Sequence, residues 1–179
     1  MLLAIKGKVM RYILILSVLL LSACAGLNDA LTPSLVIKKD SFDSSLILSQ
    51  RPVSSSGPSE DWHTLGFEWN EKTPEVIYLT VGSQGITNVS GVHFNVNSEI
   101  IESANDASIN TKYGDFSTRR FYIPIQDFVK IANAKLVKMK VIHIDTYTVS
   151  SFGDDAGILR TIDSKFAPFI GELKKRGAI

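Results

Sequence analysis

Beyond residue 34 the apolar positions fall into short runs and two-residue alternations, the period of strands. Residues 35–37 and 46–48 are short apolar runs, and the polar stretch 38–43 between them has the make-up of a hairpin connection. Residues 51–60 carry two prolines and Gly57, which is turn and loop chemistry. Strands are predicted at 63–69 and 75–81, the second rich in β-branched and aromatic residues and ending at Gly82. Residues 91–97 alternate cleanly: Val92, Phe94 and Val96 share one face, and His93, Asn95 and Asn97 the other. That pattern describes a strand with one wet face.

The second half mixes periods. Residues 102–118 are polar and default to loop, whereas 119–125 read as a strand whose Pro124 belongs at an edge or a strand end. A short helix is predicted over 126–133, with Asp127 near its positive N-terminal end. Residues 136–149 read as one long strand and 151–157 as a turn. Ile158, Ile162, Phe166, Phe169 and Leu173 then recur at helical spacing. Pro168 is tolerated in a first turn, so a C-terminal helix is predicted near 163–175, starting at Asp163 or Ser164. Many strands with helices gathered late give an α+β class with a mainly antiparallel sheet.

The first 24 residues break this pattern. Eighteen of them are hydrophobic, against about 40% of the remainder, so they account for much of the positive mean hydropathy of +0.13. Lys6, Lys8 and Arg11 precede an apolar run that ends in small residues, the layout of a secretory signal peptide. The uninterrupted run between Arg11 and Ser22 is about half of the ~20 residues a spanning helix needs. Without the three basic residues the balance is 16 basic against 18 acidic, a net −2. This near-neutral balance gives no broad electrostatic reason to expect nucleic acid as a partner.

The run closes on Leu21-Ser22-Ala23-Cys24, and here the chain resembles bacterial lipoprotein precursors, whose lipobox has an aliphatic residue, two small residues and then Cys. The resemblance covers only the first 25 residues. It implies a signal peptide over 1–23, cleavage before Cys24, lipidation of the Cys24 sulfur, and a lipidated Cys with a short tether over 24–34. Two or three long acyl chains hold a protein stably on a bilayer. Ala25 follows the Cys, where the family uses Asp for retention in the inner membrane, which favours the periplasmic face of the outer membrane if the organism has two. Cys24 is the only cysteine, so disulfides within the chain and multi-cysteine metal sites are excluded. Residues 35–179 read as one domain.

Motifs for chemistry are sparse. His63, His93 and His143 are the imidazoles, and no His-Glu-x-x-His, Gly-x-Ser-x-Gly or phosphate-loop pattern accompanies them. On a strand, His143 and Asp145 would share one face, and His93 and His143 would be neighbours if their strands paired. The Gly-rich stretch 82–91 joins two strands and reads as a hairpin loop. Glu68 and Glu71 flank Trp69-Asn70 at a strand end and turn, and Arg119, Arg120, Lys138 and Lys140 would form a small basic patch on adjacent strands. Trp62 stands at a loop-to-strand junction, apart from the aromatics expected in the core. Trp62, His93, His143 and Asp145 are therefore the candidate contact residues. No catalytic residue, metal ligand or cofactor emerges. The expected role is a binding or scaffold module on a membrane anchor, with an envelope protein or peptidoglycan as partner. A lipid-anchored hydrolase of cell-wall or other envelope substrates is the alternative.

Overall fold

The computed structural model describes residues 32–105, 110–157 and 160–179. The expected signal segment, Cys24 and all but the last three residues of the expected tether lie outside these. Residues Leu35–Ile179 form one compact unit. Among the described residues, no helix is long and apolar enough to cross a membrane.

Among the described residues ten strands build two sheets, and every paired strand is antiparallel. The strands are β1 (Val36–Lys39), β2 (Leu46–Ser54), β3 (His63–Asn70), β4 (Val76–Gln84), β5 (Gly91–Val96), β6 (Glu99–Glu102), β7 (Ala104–Asn105), β8 (Phe116–Pro124), β9 (Val137–Ile142) and β10 (Tyr147–Phe152). The larger sheet runs β1-β2-β3-β4-β8-β7 and the smaller β10-β9-β5-β6. The α-helices of the described residues, α1 (Ile125–Ala132) and α2 (Asp163–Lys175), give an α+β fold in which helix is the minor part. One hydrophobic cluster takes side chains from both sheets and both helices. At its heart Phe67 of β3 meets Phe128 of α1 and Phe166 and Phe169 of α2, with ring centroids 4.7–5.4 Å apart. Such aromatic contacts add modestly to the area they bury.

Where period-2 alternation is clean, the buried face follows it: Val92, Phe94 and Val96 are buried, and so are Phe121 and Ile123. In α1 the buried residues are Ile125, Phe128 and Ile131, one helix face. Pro124 closes β8 and leads directly into α1.

Several expectations need correction. Residues 51–54 belong to β2, because its pairing with β3 shifts between Gln50 and Val53 and the bulge accommodates Pro52. Gly66 of β3 lies against this irregularity, where a Cβ would come within 2.7 Å of the Pro52 nitrogen and 2.8 Å of the Gln50 carbonyl oxygen. The segment 136–149 is two strands, since His143 donates its N–H to Thr146 O (2.9 Å) and the chain reverses between β9 and β10. The stretch 82–91 is not a hairpin loop: residues 82–84 end β4 in the larger sheet, 85–90 cross over, and Gly91 opens β5 in the smaller. Within 102–118 lie β7 and the start of β8. Arg119 and Arg120 are on β8, and Lys138 and Lys140 on β9, in different sheets. Arg120 instead pairs with Glu68 at 2.9 Å and lies over Tyr78. Helix α2 starts at Asp163, which puts Pro168 in its second turn. Ser164, whose carbonyl would have bonded the missing N–H, and Pro168 are both exposed, so water can reach the gap.

Candidate functional site

β10 is the reason a polar site exists beside the core. Thr148, Ser150 and Phe152 alternate onto one face, and Phe152 is buried in the hydrophobic cluster while Ser150 and Thr148 extend the same face as hydroxyls. Opposite them His63 opens β3 on the face that continues as Leu65, Phe67 and Trp69. Its imidazole is fully buried. Nδ1 lies 2.9 Å from Ser150 Oγ, and Nε2 lies 2.8 Å from Thr148 Oγ1.

The same Thr148 hydroxyl is 3.1 Å from Nε2 of His143, in the β9–β10 turn. His143 Nδ1 faces Thr87 Oγ1 at 3.1 Å and the Asn88 carbonyl at 3.3 Å. In the tautomer whose His143 Nδ1–H donates to the Asn88 carbonyl, the Thr148 hydroxyl donates to His143 Nε2, His63 Nε2–H donates to Thr148, and the Ser150 hydroxyl donates to His63 Nδ1. The tautomer in which the Thr87 hydroxyl donates to Nδ1 reverses each of these bonds. Burial pushes the His63 pKa down to about 4; the neighbouring His143 adds to this, and Asp61 and Glu60 only partly oppose it. His63 is thus a neutral relay near pH 7.

The crossover 85–90 is fastened around this chain. Ser117 Oγ donates to Gly85 O (2.7 Å) and accepts from the Thr87 N–H (3.0 Å), and Ser90 Oγ donates to Ile142 O and His143 O (3.0 Å each). On the other flank, Glu60 accepts from the N–H of Gly57 (2.6 Å) and from both the N–H (3.1 Å) and the hydroxyl (2.5 Å) of Ser151. Arg160, largely buried, stands 3.6 Å from Glu60 and donates to Ala156 O at 3.0 Å. Burial alone would raise the Glu60 pKa, but these donors and the Arg160 charge outweigh it and hold the carboxyl below its ordinary range.

Trp62 is placed between these two groups. Its carbonyl accepts the Gln84 N–H at 3.1 Å, and Phe116 meets its ring at 5.3 Å and 87°. The indole is nonetheless 51% exposed. A cleft of about 480 Å³ lies on one side, lined by Ser56, Arg160 and Thr161 among others. A second, of about 440 Å³, is lined by Ser83, Thr87, His143 and Thr148. Glu60, Trp62 and Gln84 line both, so the two clefts meet at these three residues.

Of the candidate contact residues, Trp62 and His143 therefore line one cleft. His93 does not join them: β5 and β9 do pair, but the register sets His93 opposite Lys140 and Gly91 opposite Ile142. His93 faces outward beside Glu102, at 3.9 Å, and Asp145 is exposed in the turn. The members outside the candidate contact residues are His63, Thr148, Ser150, Glu60 and Arg160. For His63 the signal was present in the alternation with Leu65, Phe67 and Trp69, whereas Glu60 and Arg160 meet only through tertiary structure. Among the described residues no three His, Cys, Asp or Glu side chains gather as a metal site would require. Comparison with protein-family models, with curated proteins and with solved structures finds no match to this chain.

Proposed function

We propose that this chain is a membrane-anchored envelope lipoprotein whose domain is a binding module, with Trp62 and the two clefts beside it as the contact site. The carrying observation is the half-exposed indole at the meeting point of two ligand-sized clefts, on a loop held by Glu60. Large aromatic side chains left open on rigid supports are the usual anchors of recognition. The anchor itself rests on the lipobox Leu21-Ser22-Ala23-Cys24, with Ala25 favouring the outer membrane's periplasmic face. Two measurements test the reading. Mass spectrometry of the membrane fraction should find a chain beginning at an acylated Cys24. A photoreactive residue at position 61 should give a discrete adduct in cells, and one at Lys138 should not. An unmodified soluble chain sinks the anchor, and equal labelling from both positions sinks the contact site.

One observation favours the alternative, a lipid-anchored hydrolase. The Thr148 hydroxyl lines a cleft and lies within hydrogen-bond reach of two imidazoles, the geometry in which a base activates a hydroxyl nucleophile. Labelling of Thr148 by an acyl-transfer or phosphonate probe, lost in Thr148→Val, would replace the binding reading with this one.

A further inference from the structure

We infer that the groove crossing Trp62 binds a glycan chain, a run of linked pyranose rings, with the indole as its stacking platform. This deepens the proposed binding function and rests on it. Three features carry the inference. The first is shape: two clefts of about 480 and 440 Å³ share Glu60, Trp62 and Gln84 as common walls, so a ligand that fills both is extended and crosses at these residues. The second is the platform. Phe116 braces the indole from one direction and half its surface stays open. A pyranose presents axial C–H groups on its ring face and hydroxyls around its rim, so it can lose apolar area against an aromatic ring while its rim stays polar.

The third feature is the surrounding chemistry. One cleft is lined by Ser56 and Thr161, the other by Ser83 and Thr87, with the Gln84 amide and the Glu60 carboxylate shared between them. The hydroxyls and the exposed amide supply both donors and acceptors, as a ring of sugar hydroxyls requires. An anionic ligand is a poorer match, because Glu60 and Asp61 stand at the groove and the Arg160 charge lies beside Glu60. An apolar peptide segment is poorer still, because Trp62 is the one large apolar side chain these walls offer among the described residues.

Full-length protein in detergent is titrated by calorimetry with triacetylchitotriose and, separately, with cellotriose. Trp69 is buried in β3, so a saturable change in tryptophan fluorescence on the same titration reports Trp62. Binding of either trisaccharide is expected, weakened at least tenfold by Trp62→Ala and several-fold by Gln84→Ala, whose exposed side chain makes it a mild change. Binding of triacetylchitotriose alone identifies N-acetylated sugars as the ligand class. No binding of either sugar, or binding that both variants leave unchanged, overturns the proposal. If neither sugar binds while position 61 still forms its discrete adduct in cells, the glycan class falls and the binding-module reading stands.

Discussion

His63 opens a strand of the larger sheet and His143 follows a strand of the smaller one, yet their Nε2 atoms share a single partner, the hydroxyl of Thr148, at 2.8 and 3.1 Å. One hydroxyl cannot be removed without leaving two ring nitrogens short of a bond, one of them fully buried. Thr148→Val keeps the side-chain shape and deletes the oxygen, so it is expected to destabilise the domain by about 1–3 kcal/mol. Thr148→Ser, which keeps the oxygen, should cost less. Chemical denaturation midpoints of the two variants check this ordering.

The buried imidazole also fixes a pH dependence. His63 titrates near 4 in the fold and near its ordinary 6.5 when unfolded, so the unfolded chain binds more protons between those values. Stability is therefore fully present above about pH 6.5 and is lost as the pH falls toward 4. The shift corresponds to about 3 kcal/mol at most. Unfolding midpoints at pH 7, 5.5 and 4.5 should decline in the wild type, and His63→Gln should flatten that slope. An unchanged slope in the variant assigns the decline to other groups.

Much of the sheet was legible in the sequence because its buried faces alternate. Val92, Phe94 and Val96 announce β5, and residues 75–81 announce β4. The β9–β10 hairpin escaped because its turn, His143-Ile144-Asp145-Thr146, contains neither Gly nor Pro and carries a β-branched residue where a strand would. Ile144 is in fact 72% exposed. β6 and β7 escaped because only Ile101 in them is buried, too little to make a period. The site followed the same logic. Trp62 stood out as an aromatic at a junction, but the coming together of His63, Thr148 and His143 depends on a pairing of distant segments that no local pattern encodes.

Two glycines give opposite expectations for the same substitution. Gly66 faces the bulged backbone of β2 at 2.7–2.8 Å from any added Cβ, and backbone cannot swing aside as a flexible side chain can. Gly66→Ala should cost about 1–3 kcal/mol through strain in the central sheet. Gly171 lies inside α2 with open space where its Cβ would be, so Gly171→Ala should stabilise by up to about 1 kcal/mol. Melting temperatures of the two variants should move in opposite directions from the wild type.

Glu60 holds the loop that presents Trp62, and its loss should loosen that loop before it unfolds the domain. The carboxylate accepts from Gly57 and twice from Ser151 and lies near Arg160, tying residues 57–60 to β10 and to the segment leading into α2. Because the carboxyl pKa is lowered in the fold, this contribution is present above the ordinary value of 4.5 and is lost as the pH falls through the lowered one. That loss begins only below 4.5, where most of the His63 window between 6.5 and about 4 has been passed, so the two can be separated. Glu60→Ala leaves those donors without their acceptor and is expected to cost about 1–3 kcal/mol. Hydrogen exchange at pH 7 should quicken first over residues 55–62 and at Ser151, with β4 and β8 still protected. Uniform quickening across both sheets would mean that Glu60 supports the whole domain rather than the Trp62 loop.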